Sequence, residues 1–198
     1  TATGATLAAA AVTTLNQAKA DHHEGAHGQQ ILGWRKYVIE TAAQRQIVDR
    51  FLRKAAIPAL NRLGVKPIGV FYDNDNKDDL SIYTIAPFAS LEAYFGAHER
   101  LAADSEFLEN AQEYLSTEKD SPAYKRIESS IMKAFTGFPQ VKAPLSGDRI
   151  FELRIYESHN EIKALLKVEM FNEAELDIFE KVDLKGVFYG ESLAGANL

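Results

Sequence analysis

Residues 69–72 (GVFY) recur unchanged as residues 186–189, a shift of 117 positions in a chain of 198 residues. Aromatic and β-branched residues of this kind predict a β-strand at each place. Glu40 maps onto Glu157 at the same shift, and each ends an earlier predicted strand. A match in register, within the same strand–helix–strand order, predicts a tandem duplication.

The first copy begins with an aromatic strand and an amphipathic helix. Residues 34–40 (WRKYVIE) predict the strand, and 43–63 carry apolar residues every three or four positions, which predicts a helix with one buried face. Pro58 falls inside this helix, so an irregularity is expected near Ala56. Gly64 stands where a helix-ending glycine belongs.

The later elements of the first copy complete a β-α-β-β-α-β order. They are strands at 68–72 and 80–86 joined by the polar loop 73–79, a helix capped by Ser90, helical sequence to about 115 and again over 122–135, and a short strand near Val141. This order predicts a ferredoxin-like unit, an α+β fold with an antiparallel sheet and helices on one face.

The pattern restarts with a strand at 149–157 (RIFELRIYE), a helix at 160–182 and a strand at 185–189. We therefore expect one complete unit over 30–145 and the first half of a second, truncated unit over 148–198. Either the chain is a fragment or another chain completes the second sheet.

The first twenty residues are typical of an export signal. The apolar run 5–12 (ATLAAAAV) is too short to span a membrane but has the length of a signal-peptide core. Ala18-Lys19-Ala20 resembles a cleavage site, and 21–29 is a polar linker. We expect a periplasmic or secreted bacterial protein; an alanine-rich N-terminal helix is the alternative.

Composition and motifs exclude several function classes. The formal net charge of −6, with no basic stripe, argues against a nucleic-acid partner. The absence of cysteine removes disulfides, thiolate metal sites and cysteine nucleophiles. No phosphate loop, dinucleotide fingerprint or nucleophile elbow is present, and we expect no metal and no cofactor.

The second copy resembles the NIPSNAP family over about 45 residues. The residues that carry the resemblance are 151–158 (FELRIYES), Lys167, 170–173 (MFNE), 188–193 (FYGESL) and Gly195. The chain departs from the family at Ala174-Glu175, Asp183 and Gly186, where glycines and a proline are usual.

The resemblance implies a dimeric α/β barrel in which two ferredoxin-like units pack sheet to sheet, here within one chain. It implies a pseudo-dimer of repeats or a homo-oligomer. The family has no settled reaction, and its bacterial members include exported proteins. Relatives by fold include small monooxygenases, although a fold does not by itself confer a function.

Alternation along the predicted first strands points to a candidate ligand site. Phe151, Leu153 and Ile155 are expected to meet the helix, so the intervening side chains should line the barrel interior. The candidate ligand-binding residues are Arg35, Tyr37, Glu152, Arg154 and Tyr156. Such a set fits a small anionic or aromatic ligand; alternatively, Arg35 and Glu152 form an ion pair that fixes the interface.

No catalytic residue can be assigned from spacing alone. The sequence favours a small-ligand-binding or protein-interaction module. The alternative is a cofactor-free or haem-assisted monooxygenase or oxidase of the barrel type.

Overall fold

The fold is α+β with an antiparallel sheet and helices, as the sequence predicts; among the described residues the strands form one open sheet of five. The computed structural model describes residues 28–144, 146–147 and 149–195. The strands are β1 (Ile31–Val38), β2 (Gly69–Tyr72), β3 (Ile82–Phe88), β4 (Arg126–Ala134) and β5 (Gly190–Ala194). The helices are α1 (Ala42–Phe51), α2 (Ile57–Arg62), α3 (Leu91–Ala102), α4 (Ser105–Asn110), α5 (Gln112–Leu115), α6 (Glu161–Met170) and α7 (Leu176–Lys181).

The sheet has the order β2-β3-β1-β4-β5, and all neighbours are antiparallel. The first four strands with α1–α5 form the predicted ferredoxin-like arrangement, with β1 at the centre. Strand β5 adds to the free edge of β4 through a pairing that contains one bulge between Ile131 and Met132.

Local signals explain the first helical run. Thr41 caps α1 through a reciprocal capping box with Gln44. A π-helical segment, Leu52–Ala56, then joins α1 to α2 immediately before Pro58, where the irregularity was expected. Gly64 follows α2 with φ +83°, the left-handed conformation that glycine adopts without strain.

The predicted helix over 122–135 is wrong: most of that stretch is β4. Ile127 and Ile131 are four residues apart, and a spacing of four satisfies the helical period and the strand period equally. The open edge of β1 decides between them, because eight residue pairs form between β1 and β4. Val141, a predicted strand residue, is buried outside any strand, and its N–H donates to Oε1 of Gln30 at 2.8 Å.

Two apolar clusters fill the space between the sheet and α1–α3. One surrounds Tyr37, Ile39 and Ile82 and packs against α1 and the π-helical segment. The other surrounds Ile31 and Phe88 and packs against α2 and α3. Arg35 lies between the two clusters on the same face of β1, because side chains two residues apart share a face.

The opposite, outer face of the sheet is also apolar and also covered. Leu32 and Ile85 are fully buried there, and Trp34 and Phe71 pack beside them. Val141, Val187 and Phe188 cover this face, so the sheet has a buried layer on both sides.

The second half repeats the helical run of the first. Helices α6 and α7 are joined by a π-helical segment, Phe171–Glu175, as α1 and α2 are joined by theirs. Three landmarks recur 119 residues apart: the N-caps Thr41 and Asn160, the two π-helical segments, and the positive-φ residues Gly64 and Asp183. Since the flanking strand sequences are related by 117, the second copy has two more residues before the helix and two fewer after it.

The strands predicted for the second half are not formed as expected. Residues 149–157 have no strand geometry, and 185–189 do not form a strand; β5 begins at Gly190. Among the described residues no strand runs beside 149–157, and an isolated strand cannot satisfy its backbone. Segment 187–189 is instead held by single backbone hydrogen bonds, from Lys142 N–H to the Val187 carbonyl (2.9 Å) and from Phe135 N–H to the Tyr189 carbonyl (3.1 Å).

Two aromatic contacts join the halves across the outer face. The ring centroids of Trp34 and Phe188 are 6.0 Å apart, and those of Phe71 and Phe151 are 5.3 Å apart. At the shift of 117, Trp34 corresponds to Phe151 and Phe188 to Phe71, so each contact is the image of the other. Both contacts therefore join residues that correspond to one another at the shift of 117.

The leader and part of the linker, over 1–27, lie outside the described residues, so the export prediction stays a prediction. Within the described part of the chain, no helix is both long and apolar enough to cross a bilayer.

Trp34 is the sole tryptophan of the chain, so its emission reports on the outer face. We expect Phe188→Ala to lower the free energy of unfolding by about 2 kcal/mol and to shift Trp34 emission to longer wavelength, because water reaches the ring. A double-mutant cycle with Trp34→Phe should give a coupling of about 1 kcal/mol. Phe95→Ala is the control, since Phe95 is 63% exposed on α3. An unchanged emission maximum in Phe188→Ala would contradict the contact.

Candidate functional site

The structure corrects the predicted placement of the candidate residues. Arg35 and Tyr37 lie on the face of β1 that meets the helices, not on the face away from them. The expectation failed because the outer face of the sheet is itself a buried apolar surface. When both faces of a strand are buried and apolar, alternation does not show which face meets the helices. Trp34 lies on the outer face.

The candidates of the second half also lie against helices. The Arg154 guanidinium is 5.6 Å from the ring centroid of Phe179 on α7, and the ring of Tyr156 is 5.2 Å from that of Phe171. Phe151 faces the other way, onto Phe71. The predicted barrel-interior placement of Arg154 and Tyr156 is therefore wrong.

Glu152 pairs within its own segment rather than across to Arg35. Its Oε1 accepts from Nε of Arg154 at 2.8 Å. This exposed pair holds the pKa of Glu152 below and that of Arg154 above its usual value, mainly through the hydrogen bond between them. The alternative expectation of an Arg35–Glu152 ion pair is also wrong.

Arg35 lies on the helix-facing side of β1 at a place that stays exposed to solvent, which we call the cleft. It is paired in register with Thr84 on β3 and Ser129 on β4. Arg35 and Ser129 are exposed, although Thr84 and Tyr37 beside them are buried. The helices therefore leave an opening over this part of the sheet, and Arg35 lies at its floor.

Tyrosine rings form both ends of this cleft along β1. At one end Tyr94 of α3 lies so close over Gly33 that a Cβ on Gly33 would be 2.9 Å from Cε2 of Tyr94, so this close approach requires glycine. At the other end Tyr37 meets Tyr124 edge to face, with ring centroids 6.1 Å apart. Tyr114 of α5 stacks on Tyr124 at 5.8 Å.

Among the described residues, Arg35 interacts with the phenol groups of Tyr37 and Tyr94. Burial alone would lower the pKa of Arg35, but its interactions with Tyr37 and Tyr94 outweigh that effect and raise it. No Asp or Glu among the described residues lies within ion-pair distance of Arg35. Four other arginines do have such partners: Arg50, Arg62, Arg126 and Arg154.

Two phenols of the cleft, those of Tyr37 and Tyr114, are held in the protonated form. Burial raises the pKa of Tyr37, and Arg35 opposes that effect only in part. Burial also raises the pKa of Tyr114, with further contributions from Tyr37 and Tyr124. At neutral pH these hydroxyls are hydrogen-bond donors, so the cleft combines one cation with neutral donors and aromatic surface.

A separate surface cavity of about 300 Å³ lies between α1 and α4–α5. Arg50 and Glu113 line it and pair with each other, with Nε of Arg50 2.8 Å from Oε2 of Glu113. Because the arginine of this cavity already has its counter-ion, the Arg35 cleft is the better candidate for an anionic ligand.

The sequence analysis named Arg35 and Tyr37 as candidate ligand-binding residues but did not indicate the other residues that line the cleft. Tyr94 falls on the apolar stripe of its helix, where core packing is the usual reading, and Ser129 was assigned to a helix. The strand pairing of β1 with β4 is the information that places Ser129 opposite Arg35.

Comparison with known proteins agrees with the fold. The chain matches no family model and no curated protein. A NIPSNAP family protein of unknown function from Agrobacterium tumefaciens is similar in structure, at 22% identity and a TM-score of 0.42, over 54% of this chain and 89% of that one. An uncharacterised NIPSNAP domain protein from Burkholderia xenovorans has 14% identity and a TM-score of 0.40, over 60% and 99%.

A mutant of SnoaB, a cofactor-independent oxygenase from Streptomyces nogalater, has 20% identity and a TM-score of 0.38, over 57% of this chain and 99% of that one. Other similar solved structures are also described as NIPSNAP family or NIPSNAP-like proteins. The likeness is one of fold.

The protonated phenols predict a loss of stability at alkaline pH. Tyr37 and Tyr114 have pKa values raised above the unfolded value of 10.0, so their contribution is complete below pH 10 and is lost as the pH rises further. We expect the free energy of unfolding, measured by urea titration, to fall above pH 10 and to fall less steeply in Tyr114→Phe. Tyr156→Phe, outside the cleft, is the control, and equal slopes in all three proteins would contradict the assignment.

Proposed function

We propose that the protein binds a small anionic ligand in the cleft over Arg35. The observation that carries the proposal is the Arg35 guanidinium, which lacks a carboxylate partner among the described residues and lies at the floor of a solvent-open cleft. A partly enclosed cation gains most from an anion that also satisfies its hydrogen bonds. Tyr37 and Tyr94 hold the guanidinium without neutralising it.

Binding is favoured over oxygenase chemistry for this cleft. A cofactor-free oxygenase must remove a proton from its substrate, which requires a base. Burial raises the pKa values of Tyr37 and Tyr114, so these two phenols stay protonated and donate hydrogen bonds rather than accept protons. Haem-assisted oxidation remains the alternative, and a Soret band in the protein purified from its own host would support it.

We also propose that the chain is a pseudo-dimer of repeats. The support is the pair of contacts Trp34–Phe188 and Phe71–Phe151, which are images of each other at the shift of 117. In this arrangement the second half buries the outer face of the first sheet, and the cleft over Arg35 stays open on the opposite side.

Arg35→Gln tests the binding function. The Nε–H resonance of Arg35 should shift saturably when one of a panel of small anions (acetate, benzoate, inorganic phosphate) is titrated into the full chain. We expect the variant to bind at least tenfold more weakly, because a charge-assisted hydrogen bond contributes about 1.5–3 kcal/mol. Arg126→Gln is the matched control, since Arg126 lies on β4 and pairs with Glu128 at 2.7 Å. Failure of every anion to shift the resonance would refute the proposal.

Export is a separate proposal, supported by the apolar run 5–12 and the small residues around Lys19. Mass spectrometry of the protein from its host should find a mature chain beginning at Asp21 in the periplasmic or secreted fraction. A cytoplasmic chain that retains residues 1–20 would contradict this proposal and leave the binding proposal intact.

A further inference from the structure

We infer that the ligand of the Arg35 cleft is a flat aromatic monocarboxylate. The inference rests on the proposed binding function and names the class of ligand that the cleft accepts. It follows from the charge of the cleft, the arrangement of donors on its floor, and the length and lining of the space above them.

The charge of the cleft matches a single negative charge. Arg35 contributes one positive charge, and the side chains that interact with it, Tyr37 and Tyr94, bring no carboxylate to it. A carboxylate would neutralise this charge and accept hydrogen bonds from the flat edge of the guanidinium. A phosphate dianion would leave one negative charge uncompensated in a partly desolvated place, which is unfavourable.

The floor of the cleft adds a further polar group beside Arg35. Ser129 is the register partner of Arg35 on β4, and paired side chains on one face of a sheet lie about 4.5–5.5 Å apart at Cβ. Ser129 is exposed, so its hydroxyl is available to the second carboxylate oxygen. Arg35 and Ser129 together define where the carboxylate lies and leave the rest of the cleft to the body of the ligand.

The body of the ligand meets apolar and aromatic surface. Ile127 and Ile131 flank Ser129 on the same face of β4 and belong to the two apolar clusters. Tyr94 stands over Gly33, and Tyr37 lies four residues further along β1, a span of about 13 Å at ~3.3 Å per residue. Aromatic rings at both ends of this span and isoleucines beside its floor favour a ligand whose body is a flat ring, because aromatic rings pack against one another edge to face or stacked.

Isothermal titration of the full chain with three probes tests the inference. The probes are benzoate, cyclohexanecarboxylate, which has the same charge without a flat ring, and inorganic phosphate. We expect benzoate to bind at least fivefold more tightly than cyclohexanecarboxylate and at least tenfold more tightly than phosphate. Arg35→Gln should weaken benzoate binding at least tenfold, and Arg126→Gln should leave it unchanged.

A second variant guards against misfolding of Arg35→Gln. Ser129→Phe fills the cleft from an exposed strand position, so we expect it to keep the melting temperature and lose benzoate binding.

The outcomes separate the two levels of the proposal. Equal binding of benzoate and cyclohexanecarboxylate, or tighter binding of phosphate, with dependence on Arg35 would overturn the ligand class and leave the anion site standing. Absence of Arg35-dependent binding for all three probes would overturn both.

Discussion

The burial of both faces of one sheet is the constraint on which the rest of the structure depends. Leu32 and Ile85 on the outer face are as completely buried as Ile82 on the helix-facing side. Helices α1–α3 can cover only one side, so the other needs a second layer. Phe188, Val187 and Phe151 from the second half contribute that layer through contacts with Trp34 and Phe71. Apolar burial thus joins the two halves, together with the backbone pairing of β5 with β4.

This two-sided burial also separates the structural surface from the candidate functional one. The outer face is closed by the second half, and the helix-facing side retains an opening where its apolar cluster divides in two around Arg35. At the shift of 117, the residue of the second half that corresponds to Arg35 is Glu152. The arginine of that strand segment is Arg154, two positions further along, and it forms an ion pair with Glu152. Both halves place an arginine against helices. Of these two arginines, Arg154 has a carboxylate partner and Arg35 has none among the described residues.

The helical run that follows β1 could be predicted from sequence because it depends on local signals. Pro58 and Gly64 indicate its irregularity and its end without any knowledge of the rest of the chain. The tandem duplication stays a prediction. The identity of β4 could not be read in this way, because Ile127 and Ile131 fit either period and only the free edge of β1 distinguishes them.

The prediction of which face of β1 carries Arg35 was wrong for a related reason. Tyr37 and Trp34 are both large and apolar, on opposite faces of one strand, and alternation alone does not say which of two buried surfaces is covered by helices. The cleft residues Tyr94 and Ser129 come from elements distant in sequence, so their approach to Arg35 depends on the completed sheet.

The π-helical segments bear on the order of events in the history of the chain. Such a turn holds one residue more than a regular helical turn, and it arises when a residue is inserted into an existing helix. Leu52–Ala56 and Phe171–Glu175 occupy the same place in their helical runs, yet only the first is followed by a proline; Asp177 stands at the position of Pro58. Under the predicted duplication, the simplest account places the insertion in the single ancestral helix, before it was copied. Pro58 is then a later substitution in the first copy. The π-helical turn has been retained in both copies, although the sequence around it has changed.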